Sequence, residues 1–94
     1  MEEAHRVTDQ VYFLRHPVRE GWFTGVTVIL GTDDVGVVDS GFEDTPKKLI
    51  FPFLHERGRP DSQIVRVVNT HRDGDHVLGN AAIKERADAE ICAH

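Results

Sequence analysis

The sequence predicts an α/β domain in which a mixed sheet combines a β-hairpin with a following βαβαβ unit. Two observations lead to this fold class. β-branched runs at residues 25–30 and 35–39 flank the turn-forming segment 31–34, which is typical of a hairpin. Beyond residue 39, helix-forming stretches alternate with the apolar run 64–68. This order is typical of parallel strands joined by right-handed helical crossovers.

The first strand is predicted at residues 6–15, which end in the apolar run 11–14. His16 and Pro17 are expected to end this strand, because proline cannot donate a hydrogen bond to a neighbouring strand. Residues 17–24 are then expected to form a loop before the hairpin begins.

A helix is predicted from Pro46 to about residue 57, with Thr45 as its N-cap and Gly58 at its end. Pro52 lies inside this helix and is expected to kink it. His55 is expected on the solvated face without a partner. One face carries apolar residues at helical spacing, namely Leu49, Ile50, Phe53 and Leu54.

In the second half of the chain, the sequence predicts a strand at 64–68, a helix at about 80–88 and a last strand near Ile91. In parallel sheets, ligands bind beyond the carboxyl ends of the strands. Asp39, the loop after residue 68 and His94 all follow predicted strand ends. The sequence therefore predicts that Asp39, the loop after residue 68 and His94 lie at one rim of the sheet.

The loop after residue 68 carries four side chains that can bind a metal: His71, Asp73, Asp75 and His76. Imidazole and carboxylate ligands suit zinc, iron or manganese. A bound metal ion activates water at neutral pH, so the chemistry indicated is hydrolysis.

Three other interpretations compete with a metal site. Asp, Gly and Asn are ordinary turn residues, and by composition alone a solvated surface turn is as well supported as a metal loop. A calcium-binding EF-hand fits poorly, because the spaced glutamate of that loop has no counterpart. A nucleotide-binding protein would need a glycine-rich loop between strand and helix, which the sequence lacks. The convergence on one rim favours the metal site.

Composition excludes several other classes. The net charge of −5 argues against nucleic-acid binding, which needs clustered Lys and Arg. No apolar run is long enough for a membrane span, and no signal-like start is present. Cys92 is the one cysteine, which rules out an internal disulfide. We therefore expect residues 1–94 to be cytoplasmic and to form one small domain or part of a larger one.

The segment Asn69-Thr70-His71-x-Asp73-x-Asp75-His76 resembles the His-x-His-x-Asp-His signature of the metallo-β-lactamase-fold hydrolases. Residues 37–41, which end in Asp39-Ser40-Gly41, are similar to the strand end that precedes this signature in the family. Gly79 matches the glycine that opens the next helix. The resemblance covers the amino-terminal half of the family's domain, and it implies half of an αββα sandwich.

By resemblance, His71 binds one metal ion, while Asp75 and His76 bind a second, and Asp75 also orients the attacking water. Asp39 would support the site from beneath. The family's second His is Asp73 here, which we expect to be a weaker ligand. The implied cofactor is a divalent metal, most readily zinc, with iron or manganese as alternatives and up to two ions in a complete domain.

The family's later metal ligands have no counterpart in these residues, and His94 is expected to be a surface residue. We therefore expect a truncated metallo-hydrolase whose site is incomplete and which is inactive alone, with a small-molecule substrate in the complete enzyme. The alternative is a non-catalytic, partner-dependent binding module without metal. Because only one face of the sheet has helices to cover it, we expect a homodimer or a complementary half-domain to cover the other.

Overall fold

A mixed sheet runs through the computed structural model, which describes residues 4–19, 22–42, 44–70 and 79–93. Within these residues six strands lie side by side in chain order. The strands are β1 (Ala4–Arg6), β2 (Val11–Arg19), β3 (Trp22–Leu30), β4 (Val35–Val38), β5 (Ile64–Asn69) and β6 (Glu90–Ala93). Neighbours from β1 to β4 are antiparallel, whereas β4, β5 and β6 are parallel. The predicted hairpin and βαβαβ order are confirmed.

The predicted loop at 17–24 is wrong. Strand β2 continues through His16 and Pro17, which pair with Thr24 and Phe23 of β3, and the register shifts between Pro17 and Arg19. Proline is tolerated at such an irregularity because the regular hydrogen-bond ladder is already interrupted there. Pairing with the neighbouring strand β3, and not the proline itself, therefore decides where β2 ends.

The predicted single strand at 6–15 is also wrong, because a turn divides it into β1 and β2. The amide of Val7 donates to the carbonyl of Val11 over 2.8 Å. The hydroxyl oxygen of Thr8 accepts hydrogen bonds from the amides of Gln10 and Val11, each at 3.1 Å. These side-chain contacts turn the chain back on itself, as Thr often does in turns.

The predicted first helix is present but irregular. It consists of a π-helical segment (Pro46–Ile50) that continues as α1 (Phe51–Glu56). The amide of Phe51 donates to the carbonyl of Pro46, five residues earlier. Pro52 follows directly, and the wider winding accommodates a ring that would clash with a regular α-helical turn. The disturbance expected at Pro52 thus takes the form of a π-helical turn before it.

The end of this helix agrees with the sequence prediction, whereas the capping of its start does not. Thr45 is not a side-chain cap: its hydroxyl accepts a 2.9 Å hydrogen bond from the amide of Phe42, upstream of the helix. Gly58 ends the helix as predicted, with a φ of +70°. The amide of Gly58 donates to the carbonyl of His55, and that of Arg59 to the carbonyl of Leu54. A glycine suits this left-handed position because it has no Cβ.

A short 3₁₀ turn (Asp61–Gln63) leads into β5, and helix α2 (Asn80–Ala87) connects β5 to β6. Both helices pack on the same face of the sheet and form the core there. Its buried strand members are Leu14, Val26, Val28, Val35, Val37, Ile64 and Val67, and its buried helix members are Ile50, Phe51, Phe53, Leu54 and Ile83.

The opposite face, called the open face below, has no helix over it in the described part of the chain. Ile29, Val65 and Val68 are 42%, 48% and 40% exposed on the structure's surface. They border a shallow hollow of about 250 Å³, which Gly36 and Val38 also line. Val65 is exposed together with Arg66 because the register between β4 and β5 shifts at this point. The sheet is therefore buried on one side and carries exposed apolar side chains on the other.

His55 has a partner, contrary to the sequence prediction. Its Nε2 lies 2.7 Å from Oδ1 of Asp61, whose other carboxylate oxygen is 3.0 Å from the guanidinium of Arg86. The Arg86 guanidinium also lies over the ring of Phe51. Asp61 thus links the end of α1 to α2. The sequence gives no local sign of this link, because His55 and Asp61 belong to different elements and Arg86 lies 25 residues beyond Asp61.

No helix in the described ranges combines the length and the apolar character needed to cross a lipid bilayer.

The contrast between the two faces can be tested at neighbouring positions of β5. Val67 is fully buried beneath the helices, whereas Val68 is 40% exposed on the open face. Val67→Ala should lower the free energy of unfolding by about 2 kcal/mol, from lost apolar burial and a residual cavity. In the isolated, unassociated chain Val68→Ala should lower it by less than about 1 kcal/mol, since its side chain meets solvent there.

Urea unfolding of the two variants measures both values. The substitutions remove the same atoms from the same strand, so their intrinsic strand propensities cancel. Equal losses at both positions would show that the open face is covered in solution.

Candidate functional site

The candidate site lies where β4 and β5 end, at the edge of the sheet from which α2 begins. Residues 39–41 follow β4, Thr70 follows β5, and Gly79 precedes α2. The predicted ligands His71, Asp73, Asp75 and His76 lie outside the described residues, as does His94. What the structure describes is the frame that holds the two ends of this loop, called the metal loop below (residues 71–78).

Asp39 joins the ends of β4 and β5. It is 7% exposed, and its backbone adopts a left-handed conformation with a φ of +64°. Its amide donates to the carbonyl of Val68 over 2.7 Å. One carboxylate oxygen accepts from the amide of Thr70 at 2.8 Å, and the other accepts from the Thr70 hydroxyl at 2.7 Å. The carboxylate therefore fixes the residue immediately before His71.

The left-handed backbone of Asp39 has a conformational cost of about 1–3 kcal/mol. Hydrogen bonds to a charged acceptor contribute about 1.5–3 kcal/mol each, so the two contacts with Thr70 can offset this cost. Asp also tolerates this region better than most residues, because its short side chain can hydrogen-bond locally. The strained turn is retained where it positions the start of the metal loop.

Asn80 ties the other end of the metal loop to the same frame. Its side-chain oxygen accepts from the Ser40 hydroxyl at 2.7 Å and from the side-chain nitrogen of Asn69 at 3.3 Å. Its side-chain nitrogen donates to the Asn69 side-chain oxygen at 2.8 Å. Ser40 and Asn69 are both buried. One amide therefore contacts the turn after β4 and the end of β5 at once.

Two glycines let the backbones approach closely here. The amide of Gly79 donates to the carbonyl of Gly41 over 3.1 Å. A Cβ on Gly79 would overlap the carbonyl oxygen of Ser40 and lie 2.8 Å from a Pro46 ring carbon. Gly41 has a φ of +75°, and a Cβ there would meet the side chain of Thr45. The start of α2 is thereby held against the turn that follows β4.

Asp39 lies at the strand end as predicted, but sequence reasoning assigned no role to Ser40, Asn69, Thr70 or Asn80. A signal was present: polar residues follow the apolar strands directly, where a buried polar side chain must find a hydrogen-bond partner. Within the described ranges no three His, Cys, Asp or Glu side chains group as metal ligands would. The ligand set of the metal loop stays a prediction.

Comparison with known families gives a match over most of the chain. The family model described as the metallo-beta-lactamase superfamily matches residues 19–94. No curated protein matches the sequence significantly.

Solved structures match the fold. MEM-A1, a subclass B3 metallo-beta-lactamase isolated from a soil metagenome library, superposes with a TM-score of 0.80 at 16% identity. FEZ-1 from Legionella gormanii gives 0.76 at 16%, and BJP-1 of Bradyrhizobium japonicum gives 0.72 at 23%. Each match covers 96% of this chain and 32% of the other. The chain thus has this fold and spans about a third of the length of these structures.

The contribution of the Asp39 contacts can be isolated with a matched variant. Asp88 also has a positive φ, of 52°, but its side chain is 94% exposed. Asp88→Ala therefore measures the cost of alanine in a left-handed conformation at the surface, together with the loss of an exposed ion pair to Lys84 that contributes at most about 1 kcal/mol. Asp39→Ala should lower the free energy of unfolding by at least about 2 kcal/mol more, because it leaves the Thr70 donors without their charged acceptor.

Chemical denaturation of both variants gives this difference. Equal losses would mean that the Asp39 carboxylate adds nothing beyond its backbone conformation.

Proposed function

Because the chain belongs to the metallo-beta-lactamase superfamily, we propose that its metal loop binds a divalent metal ion. This superfamily consists of metal-dependent hydrolase-like proteins. The chain would form the amino-terminal half of such a metallo-hydrolase. The observation that carries this proposal is the frame around the loop. Both loop ends are fastened to the turn at residues 39–41, one through Thr70 and one through Asn80. A loop held at both ends can present its side chains with little loss of conformational entropy on binding.

The donor set fits such an ion. His71 would hold one metal, and Asp75 and His76 a second, with Asp73 as an additional carboxylate ligand. Two imidazoles and two carboxylates suit zinc, and also iron or manganese, since the carboxylates are harder donors than thiolates. When bound, the metal supplies Lewis acidity and an activated water for hydrolysis. Asp75 would orient that water, which makes it the proposed catalytic residue.

Asp39 supports this assignment from the described part of the site. Its buried carboxylate lies next to the residue that precedes His71, and hydrogen bonds from Thr70 hold it in place. A fixed negative charge close to a cation site favours cation binding. The complete enzyme would act on a small-molecule substrate, whereas this chain, with part of the ligand set, is proposed to bind metal without turnover.

Metal binding is testable on the purified chain. Protein prepared without chelator should contain zinc, iron or manganese, and His71→Ala and His76→Ala should each lower zinc affinity at least tenfold by removing a ligand. Affinity should also fall as pH drops below about 6, because free imidazole protonates near pH 6.5 and then cannot bind metal. Elemental analysis and titration with a competing zinc chelator measure both effects.

His55→Ala is the matched control, because His55 pairs with Asp61, which precedes β5, whereas the metal loop follows β5 in the chain. Asp73→His adds a second test: it should raise zinc affinity by supplying the softer donor that the family has at this position. Metal content that survives both His71→Ala and His76→Ala would contradict the proposed site.

The open face supports a second role, that of a partner-dependent module. Exposed Ile29, Val65 and Val68 surround a hollow above Gly36. Under a twofold axis the projecting valines of one copy can enter the hollow of another, and the same patch serves both partners. We propose that a second copy of the chain covers this face when no complementary half-domain is present.

The association can be weakened by charge. Val68→Lys should shift the chain toward monomer in sedimentation velocity over a dilution series, since it buries an unpaired ammonium in the interface. Ala81→Lys, which adds the same charge at an exposed position of α2, should leave association unchanged. A wild-type monomer at all concentrations that binds no apolar-surface dye would contradict both a homodimer and a missing half-domain.

A further inference from the structure

We infer that Asn80 is the positioning residue that sets the spacing between the two ends of the metal loop. This inference rests on the proposed function for its consequence on metal binding, but its structural basis lies entirely in described residues. The metal loop leaves the frame at Thr70 and returns at Gly79. Asn80, at the first position of α2, contacts the last residue of β5 and the turn that follows β4.

The reciprocal contact with Asn69 is the first part of this device. The two side-chain amides face each other, each donating to the oxygen of the other, at 2.8 and 3.3 Å. Asn69 is buried and lies one residue before Thr70. The amide pair therefore spans the opening of the metal loop directly, from the last residue of β5 to the first residue of α2.

The contact with Ser40 is the second part. The Ser40 hydroxyl donates to the same Asn80 oxygen that accepts from Asn69, at 2.7 Å. Ser40 is fully buried and follows Asp39, which holds Thr70. A path of hydrogen bonds thus runs from Thr70 through Asp39 and the turn to Asn80. Both ends of the metal loop are therefore hydrogen-bonded to residues of the same turn, Asp39 and Ser40.

A helix-start residue without this role would behave differently. Helix α2 has no side-chain cap at its first turn, and alanine is a better helix former than asparagine. Asn80→Ala would then be neutral or slightly stabilising, with no effect on the loop. If Asn80 positions the loop, Asn80→Ala disturbs the loop even though the helix itself becomes more stable. Partners that orient metal ligands typically change metal affinity by about 10- to 100-fold when removed.

The test compares Asn80→Ala with Val67→Ala, a buried core variant that removes apolar packing and no side-chain hydrogen bond. Zinc affinity by chelator competition should fall at least tenfold in Asn80→Ala and stay within about twofold of wild type in folded Val67→Ala. Asn80→Asp keeps the shape and both acceptor contacts but removes the donor to Asn69. Asn80→Asp should also lower zinc affinity, although its added negative charge alone would raise that affinity. This variant replaces Asn80→Ala in the comparison if the alanine protein does not fold.

Amide hydrogen exchange in metal-free protein gives the readout that does not depend on metal. Asn80→Ala should speed exchange at the amides of Thr70 and Gly79 relative to those of β3, whereas Val67→Ala should not change that ratio. Wild-type protein that binds no metal would overturn the proposed function but leave this exchange prediction to decide the role of Asn80. Unchanged exchange at both amides in Asn80→Ala and Asn80→Asp would overturn the inference, as would wild-type zinc affinity in both.

Discussion

The contact between the Asp39 carboxylate and Thr70 is the constraint on which the site depends. The contact joins the ends of the parallel strands β4 and β5, beyond the last residues that these strands pair through their backbones. Its acceptor is a charged carboxylate that is buried from solvent. The strained backbone at Asp39 is tolerated because these contacts outweigh it. The turn at residues 39–41 can then serve as the common support for the end of β5 and the start of α2.

In the described part of the chain, the buried apolar side chains of the sheet lie on one of its faces. Helix side chains seal the face that carries Val35, Val37 and Val67, and the buried polar groups gather at the rim above it. The apolar core lies beneath the helices, whereas the buried polar side chains lie at the rim and join the residues that flank the metal loop. Ion pairs at the surface, such as the one that links α1 to α2 through Asp61, supplement the core.

Much of the fold could be predicted because the β-branched runs and the strand–helix alternation are local patterns. The continuation of β2 through Pro17 could not, since pairing with β3 overrides the proline signal. The contact of His55 with Asp61 and the amide pair of Asn69 and Asn80 join different elements and depend on how those elements pack, which no local pattern encodes. Asp39 was placed correctly because a strand end fixes the position of the residue after it. The ligand roles in the metal loop rest on spacing and resemblance.

Cys92 gives the molecule a built-in reporter. It pairs directly with Val68 across the parallel strands β5 and β6, so its side chain lies on the same side of the sheet as Val68. The thiol is partly accessible and is the one cysteine of the chain. Its alkylation rate therefore senses solvent at the edge of the open face without an introduced label. Any molecule that covers this region leaves a kinetic footprint on a single natural sulfur atom.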